Sequence, residues 1–150
     1  MRLRMVDRIL WWDAKEGIRG LKAASFEEYS LKEAFGGEAR LPELLLLQSA
    51  FELAAWFVML TSRFAEGGVA EGIERVSFPA GVGPGERVLL DLELTAETEQ
   101  GILLDASGKV GDRDVLVAKG LHVRRMALSS LGDPEDYRTL FSEIGTAGGP

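Results

Sequence analysis

The sequence predicts an α+β domain in which a mostly antiparallel sheet wraps round one long central helix. Three observations carry that prediction. Leu44 to Leu60 is a long apolar run. Val88, Leu90, Leu92 and Leu94 alternate with Leu89, Asp91, Glu93 and Thr95, the period-two pattern of a half-buried strand. Strand patterns also stand on both sides of the apolar run. A single antiparallel sheet curled round the helix buries all of them with short connections.

The elements follow in chain order. Val6 to Asp13 reads as a strand, Asp13 to Gly17 as a turn and Ile18 to Ala24 as the return strand. Ser25 to Leu41 is an irregular stretch containing Gly36 and Gly37. Pro42 then opens the helix, because proline at a helix start loses no needed donor, and Glu43 suits the positive end of the dipole. Leu44, Leu45, Leu47, Phe51, Ala54, Ala55 and Val58 recur at helical spacing, and Leu46, Ala50, Leu53 and Phe57 fill the other side. A helix apolar nearly all round is buried nearly all round. Glu74 to Pro79 reads as a short strand ended by Pro79 and the Gly81–Gly85 loop. Ile102 to Val110 and Val115 to Arg125 are further strands across a Gly111-Asp112 turn. Pro134 to Ile144 is expected to form a short surface helix with Asp133 as its N-cap. Gly145 to Pro150 reads as a frayed tail. The domain is placed at residues 1–130, with 131–150 as a C-terminal extension.

Composition excludes several classes of function. The chain has 150 residues, the size of one domain, and 46% are apolar, enough for a core. The net charge of −7 argues against a nucleic-acid partner, which selects a basic face. There is no cysteine and His122 is the only histidine, so disulfides, thiolate or histidine metal clusters and a cysteine nucleophile are excluded. No cofactor is implied. The charged start, Met1 to Arg8, has no apolar stretch behind it, so a signal peptide is not expected and a cytoplasmic location is. A membrane span at Leu44 to Leu60 is disfavoured. Glu52 near its middle would cost roughly 2.5–3.5 kcal/mol at mid-bilayer, and the run is short.

These segments resemble the β-hydroxyacyl-ACP dehydratases, a hotdog-fold family. Met5-Val-Asp-Arg-Ile-Leu10 is similar to their opening strand, and Phe35-Gly-Gly-Glu-Ala-Arg-Leu-Pro42 to their "FPGHPVMP" loop. Glu43 to Ala55 falls where their central helix falls, and Val82-Gly-Pro-Gly-Glu-Arg87 is similar to the loop before their third strand. The resemblance runs from about Met5 to Arg125.

That resemblance implies acyl-thioester chemistry in fatty-acid synthesis, on an acyl carrier protein or coenzyme A. Removal of water from a β-hydroxyacyl group needs a base for the α-proton and an acid for the hydroxyl. In the family, a histidine before the loop and a carboxylate one turn into the helix fill these roles. Ala34 and Gln48 occupy those positions here, and neither exchanges a proton at neutral pH. The family carries a glutamine one turn after its carboxylate; Glu52 stands there. The loop residues Phe35 and Gly37 and the backbone N–H of Glu43 are the implied substrate-binding groups, the last polarising the thioester carbonyl.

In the family, the two catalytic groups of one site come from different subunits of a dimer. A homodimer or higher oligomer is therefore expected. A heterodimer with an active relative is also open. It would pair histidine with Gln48 at one site and Ala34 with a carboxylate at the other, restoring neither.

Glu52 has two readings. It is a base lining a substrate tunnel, since hotdog thioesterases use an acid on this helix, or it is a bonded structural carboxylate, paired to Gln48 or Arg63. Gln48 orients a water or is a satisfied amide. Ser49 has no visible base and reads as packing. His122 reads as a surface or satisfied histidine. Arg2, Arg4, Arg8, Arg124 and Arg125 form either a docking patch for an acidic carrier protein or solvated strand ends. Trp11 and Trp12 face opposite ways, one toward the core and one toward a dimer contact.

Overall fold

The computed structural model describes residues 5–24 and 40–145. Strands β1 (Arg8–Asp13) and β2 (Gly17–Ala23) precede helix α1 (Glu43–Thr61). Strands β3 (Glu66–Ser77), β4 (Arg87–Glu97), β5 (Gly101–Val110) and β6 (Arg113–Ala127) follow it. A 3₁₀ turn (Leu128–Ser130) and helix α2 (Pro134–Ile144) complete the described residues. The strands make one antiparallel sheet in the order β1-β2-β4-β5-β6-β3.

Local chemistry sets the turns where the sequence places them. Asp13 turns the first hairpin by accepting the Lys15 N–H on its side chain at 2.9 Å. Gly111, at φ +60°, supplies the left-handed residue of the two-residue β5–β6 turn.

Alternation then sorts the faces. Val88, Leu90 and Leu92 of β4, Ile102, Leu104 and Ala106 of β5, and Leu121 and Val123 of β6 are buried, and α1 packs most extensively on β3, β2 and β6. Ala50, Leu53 and Ala54 on the helix are fully buried, so the apolar run is the core of the sheet. It is also the one helix among the described residues long and apolar enough to cross a membrane. Close approach of β3 depends on Gly68, where a Cβ would lie 3.2 Å from the Ala55 Cα and 2.7 Å from a Val123 methyl.

One expectation is corrected and one is refined. The strand expected at Glu74 to Pro79 begins much earlier, at Glu66, and ends at Ser77. Gly67, Gly68 and Gly72 lower strand propensity and a bulge near Ala70 and Gly72 breaks the alternation, so pairing with β6 rather than local preference makes this strand. Helix α2 lies at the surface as expected, but one stripe of it is turned inward. Tyr137 and Ile144 are buried, and with Leu140 and Phe141 they form a stripe at i, i+3, i+4 and i+7. Asp133 caps it as expected, its carboxylate accepting the Glu135 N–H at 3.0 Å. The Ser25 to Leu41 stretch lies outside the described residues up to position 39, and the tail lies outside them from position 146.

The loop before β4 has its own fastening. Glu86 accepts the Gly83 N–H at 2.6 Å and the Arg113 guanidinium at 2.5 Å. The Gly83 bond first, and Arg113 second, hold its carboxyl below the ordinary value of 4.5. The unfolded chain therefore binds a proton more readily than the folded one. This group's contribution is present above the unfolded pKa and is lost as pH falls through the folded pKa. Glu86→Gln is expected to flatten the acid limb of stability, seen as a smaller drop in the urea midpoint on acidification through the carboxylate range. An unchanged slope would show that this pair is not coupled to folding.

Candidate functional site

Helix α1 organises both ends of the site. Its start is fastened to the loop before β4 by the Leu41 N–H donating to the Val82 carbonyl at 2.8 Å. The first intrahelical donors are Leu45 and Leu46, both to the Pro42 carbonyl. The N–H groups of Glu43 and Leu44 thus precede the helical ladder, as at any helix N-terminus. Beside them is a cleft of about 100 Å³ between Glu43, Leu46, Phe78 and Val82.

A second, apolar cavity of about 370 Å³ lies further along the same helix. Phe51, Ala55 and Met59 form one wall, the β3 segment 67–70 a second, and Leu140 and Ile144 of α2 a third. Its size falls within the ~300–1,000 Å³ of small-molecule pockets. Glu52 is the single carboxylate on that wall, in otherwise apolar surroundings.

One oxygen of Glu52 accepts the backbone N–H groups of Met5, at 3.0 Å, and Val6, at 2.6 Å. The carboxylate therefore fastens the start of the chain onto the middle of α1. Two main-chain donors satisfy part of the cost of placing a charge on an apolar helix. Glu52 also stands nine residues after Glu43, which a helical rise makes about 14 Å along the axis. One carbonyl cannot be held by the Glu43 amide and attacked through Glu52 in the same protomer, because reacting groups lie ~3–3.5 Å apart.

The remaining candidates are separated by the fold. Gln48 is exposed, one turn before Glu52. Ser49 is fully buried and donates to the Leu45 carbonyl at 2.8 Å, a packing bond. His122 is exposed on β6, 3.6 Å from Glu74, and faces away from the helix because its neighbours Leu121 and Val123 face inward. Arg125 is drawn in among Glu97, Glu66 and the Thr98 carbonyl, and Arg124 lies 3.7 Å from Glu71. Arg125 is thus a bonded strand residue rather than part of an open patch. Trp11 carries the Arg19 guanidinium 4.8 Å above its ring, while Trp12 packs against the core. Ala34, Phe35, Gly37, Arg2 and Arg4 lie outside the described residues.

Sequence reasoning missed the wall supplied by α2. The signal was present in the stripe Tyr137, Leu140, Phe141 and Ile144. That stripe falls after the segment that carries the resemblance.

One antiparallel sheet packed round a single helix, with an apolar cavity along that helix, defines a hotdog-fold protein. Solved structures agree. The fluoroacetyl-CoA thioesterase FlK superposes with a TM-score of 0.62 at 12% identity, covering 82% of this chain and 94% of its own. The protein smu.793 of Streptococcus mutans, bound to acetyl CoA, gives 0.66 at 7% identity over 85% and 94%. Thioesterase HI1161 of Haemophilus influenzae gives 0.63 at 12% identity over 80% and 78%. These likenesses establish the fold. No protein-family model matches the chain.

Sequence relatives identify the family. The 3-hydroxyacyl-[acyl-carrier-protein] dehydratase FabZ of Desulfotalea psychrophila is 30% identical over 118 residues, covering 77% of this chain and 79% of the relative. FabZ of Aliarcobacter butzleri is 29% identical over 113 residues, covering 71% and 76%. The chain belongs to the FabZ 3-hydroxyacyl-[acyl-carrier-protein] dehydratase family.

Proposed function

We propose that this protein binds an acyl thioester in the manner of its family but does not dehydrate it. One observation carries this reading. Gln48 and Ala34 occupy the positions of the family's acid–base pair, while the carboxylate nearest to them on α1, Glu52, is engaged by the Met5 and Val6 amides. What supports retained binding is the helix start at Glu43, preceded in the sequence by Phe35 and Gly37, and the apolar cavity along α1. The substrate class is an acyl group on an acyl carrier protein or coenzyme A, in a cytoplasmic fatty-acid pathway. The unit is a homodimer or larger oligomer, or a heterodimer in which this chain is the binding and structural subunit beside an active dehydratase.

The direct test is dehydration of 3-hydroxyacyl-ACP and 3-hydroxyacyl-CoA, followed as enoyl formation. The natural chain is expected to show none above the uncatalysed rate, and clear turnover would sink the proposal. Restoring the pair with Ala34→His and Gln48→Glu together is expected to produce turnover where either change alone does not, because the two groups act as a unit.

A second reading, thioester hydrolysis through Glu52, is favoured by the thioesterases among the fold neighbours, FlK acting on fluoroacetyl-CoA. It requires the Glu52 carboxylate as base. Hydrolysis of acyl-CoA that is lost in Glu52→Gln with binding retained would support it. Hydrolysis that persists in that variant would remove Glu52 from the mechanism.

A further inference from the structure

Resting on the acyl-thioester reading above, we propose that helix α2 is the end wall of an acyl-tail subsite and that Leu140 sets the chain length it admits. The segment from Leu128 to Ile144 does not simply trail from the last strand. The Leu128 N–H donates to the Ala65 carbonyl at 3.0 Å, anchoring the 3₁₀ turn beside the end of α1. Trp56 on α1 then meets Tyr137 edge-on, with ring centroids 6.5 Å apart, and Phe141 at 6.1 Å. Phe64 meets Phe141 at 6.2 Å.

Phe64 reaches that position through an unusual backbone. Arg63 and Phe64 both adopt left-handed φ, +54° and +63°. Non-glycine residues take that region at an energetic cost, and a bulky pair is rarer still. The turn after α1 is shaped so that Phe64 meets α2, and Arg138 of α2 lies over the Phe64 ring at 5.3 Å.

The cavity that this docking closes has a division of chemistry along α1. Glu52 is its carboxylate, and beyond it Ala55, Met59, Leu140 and Ile144 offer apolar surface without a charge. Gly67 and Gly68 leave space on the β3 side, where a side chain at Gly67 would strike Leu131 and Leu128. A ligand with a polar group and a flexible aliphatic tail fits such a wall, and a compact polar ligand does not. Tyr137 and Ile144 are buried and structural, whereas Leu140 is only partly buried and lines the cavity. Leu140 is therefore the position where side-chain volume changes cavity length at least cost to packing.

The test is a binding series on the full chain by isothermal titration calorimetry, with 3-hydroxybutyryl-, 3-hydroxyoctanoyl- and 3-hydroxydodecanoyl-CoA as probes. Leu140→Trp fills the cavity and is expected to weaken the dodecanoyl probe about tenfold or more relative to the butyryl probe. Each methylene excluded from an apolar site costs about fourfold, the equivalent of ~0.8 kcal/mol. Leu140→Ala is expected to shift the preference the other way, toward the longer chain. General loss of stability would move both variants alike, so opposite shifts are specific to the wall. Equal probe ratios in all three proteins would overturn the length-setting role while leaving the acyl-thioester reading intact. Failure of the natural chain to bind any of the three would overturn that reading itself and the subsite with it.

Discussion

Replacing Trp56 by alanine is expected to lower the unfolding free energy by about 3–5 kcal/mol, the usual cost of deleting a buried aromatic ring. Trp56 is 2% exposed and joins α1 to α2 through Tyr137 and Phe141. A domain of this size has about 5–15 kcal/mol in total, so the loss is a large share of it. The thermal midpoint should fall by about 10 °C or more. The same change removes the surface on which α2 docks. Amide exchange in Pro134–Ile144 should therefore accelerate beyond what the global loss explains, because that segment opens locally. A fall in the midpoint with α2 still protected in proportion to global stability would show that Phe64 and Leu128 hold the helix without Trp56. Conversely, Trp56→Phe should recover most of the loss, since it keeps an aromatic ring against Tyr137.

A second large effect is expected at Glu52. Removing its side chain in Glu52→Ala leaves the Met5 and Val6 amides without the acceptor that binds them at 3.0 and 2.6 Å. Hydrogen bonds to an ionised group contribute about 1.5–3 kcal/mol each, and the loss of both should cost about 2–4 kcal/mol because water replaces them in part. Glu52→Gln keeps the shape and one neutral acceptor, so about half that cost is expected. Denaturant midpoints measure the total. Hydrogen exchange at Met5 and Val6 identifies the cause, since their protection should vanish in Glu52→Ala and fall in Glu52→Gln. If both variants are as stable as the natural chain, the carboxylate does not fasten the N-terminal segment and the thioesterase reading gains ground.

How far the sequence reached differs between the sheet and the site. The hairpin around Asp13, the helix from Pro42 and the strands through Leu92, Leu104 and Val123 were legible because each rests on local periodicity or turn chemistry. Strand β3 was only half legible. Its first half is glycine-rich and polar, and it becomes a strand by pairing with β6 from Met126 back to Lys119. Of the site, Glu52 stands out in the sequence, since a carboxylate on an apolar helix needs a partner. Its partner was not legible, because Met5 and Val6 lie 47 and 46 residues away and donate from the main chain, which has no side-chain signature.

By itself, then, the sequence determined the fold class and the place of the central helix. These follow from residue identity and short-range spacing, which need no coordinates. Only the tertiary structure decided that Glu52 fastens the N-terminal segment and that α2 lines the apolar cavity. Each of these is a contact between segments far apart in the chain. Such contacts are set by how one helix packs into one sheet, and packing is a property of the whole molecule.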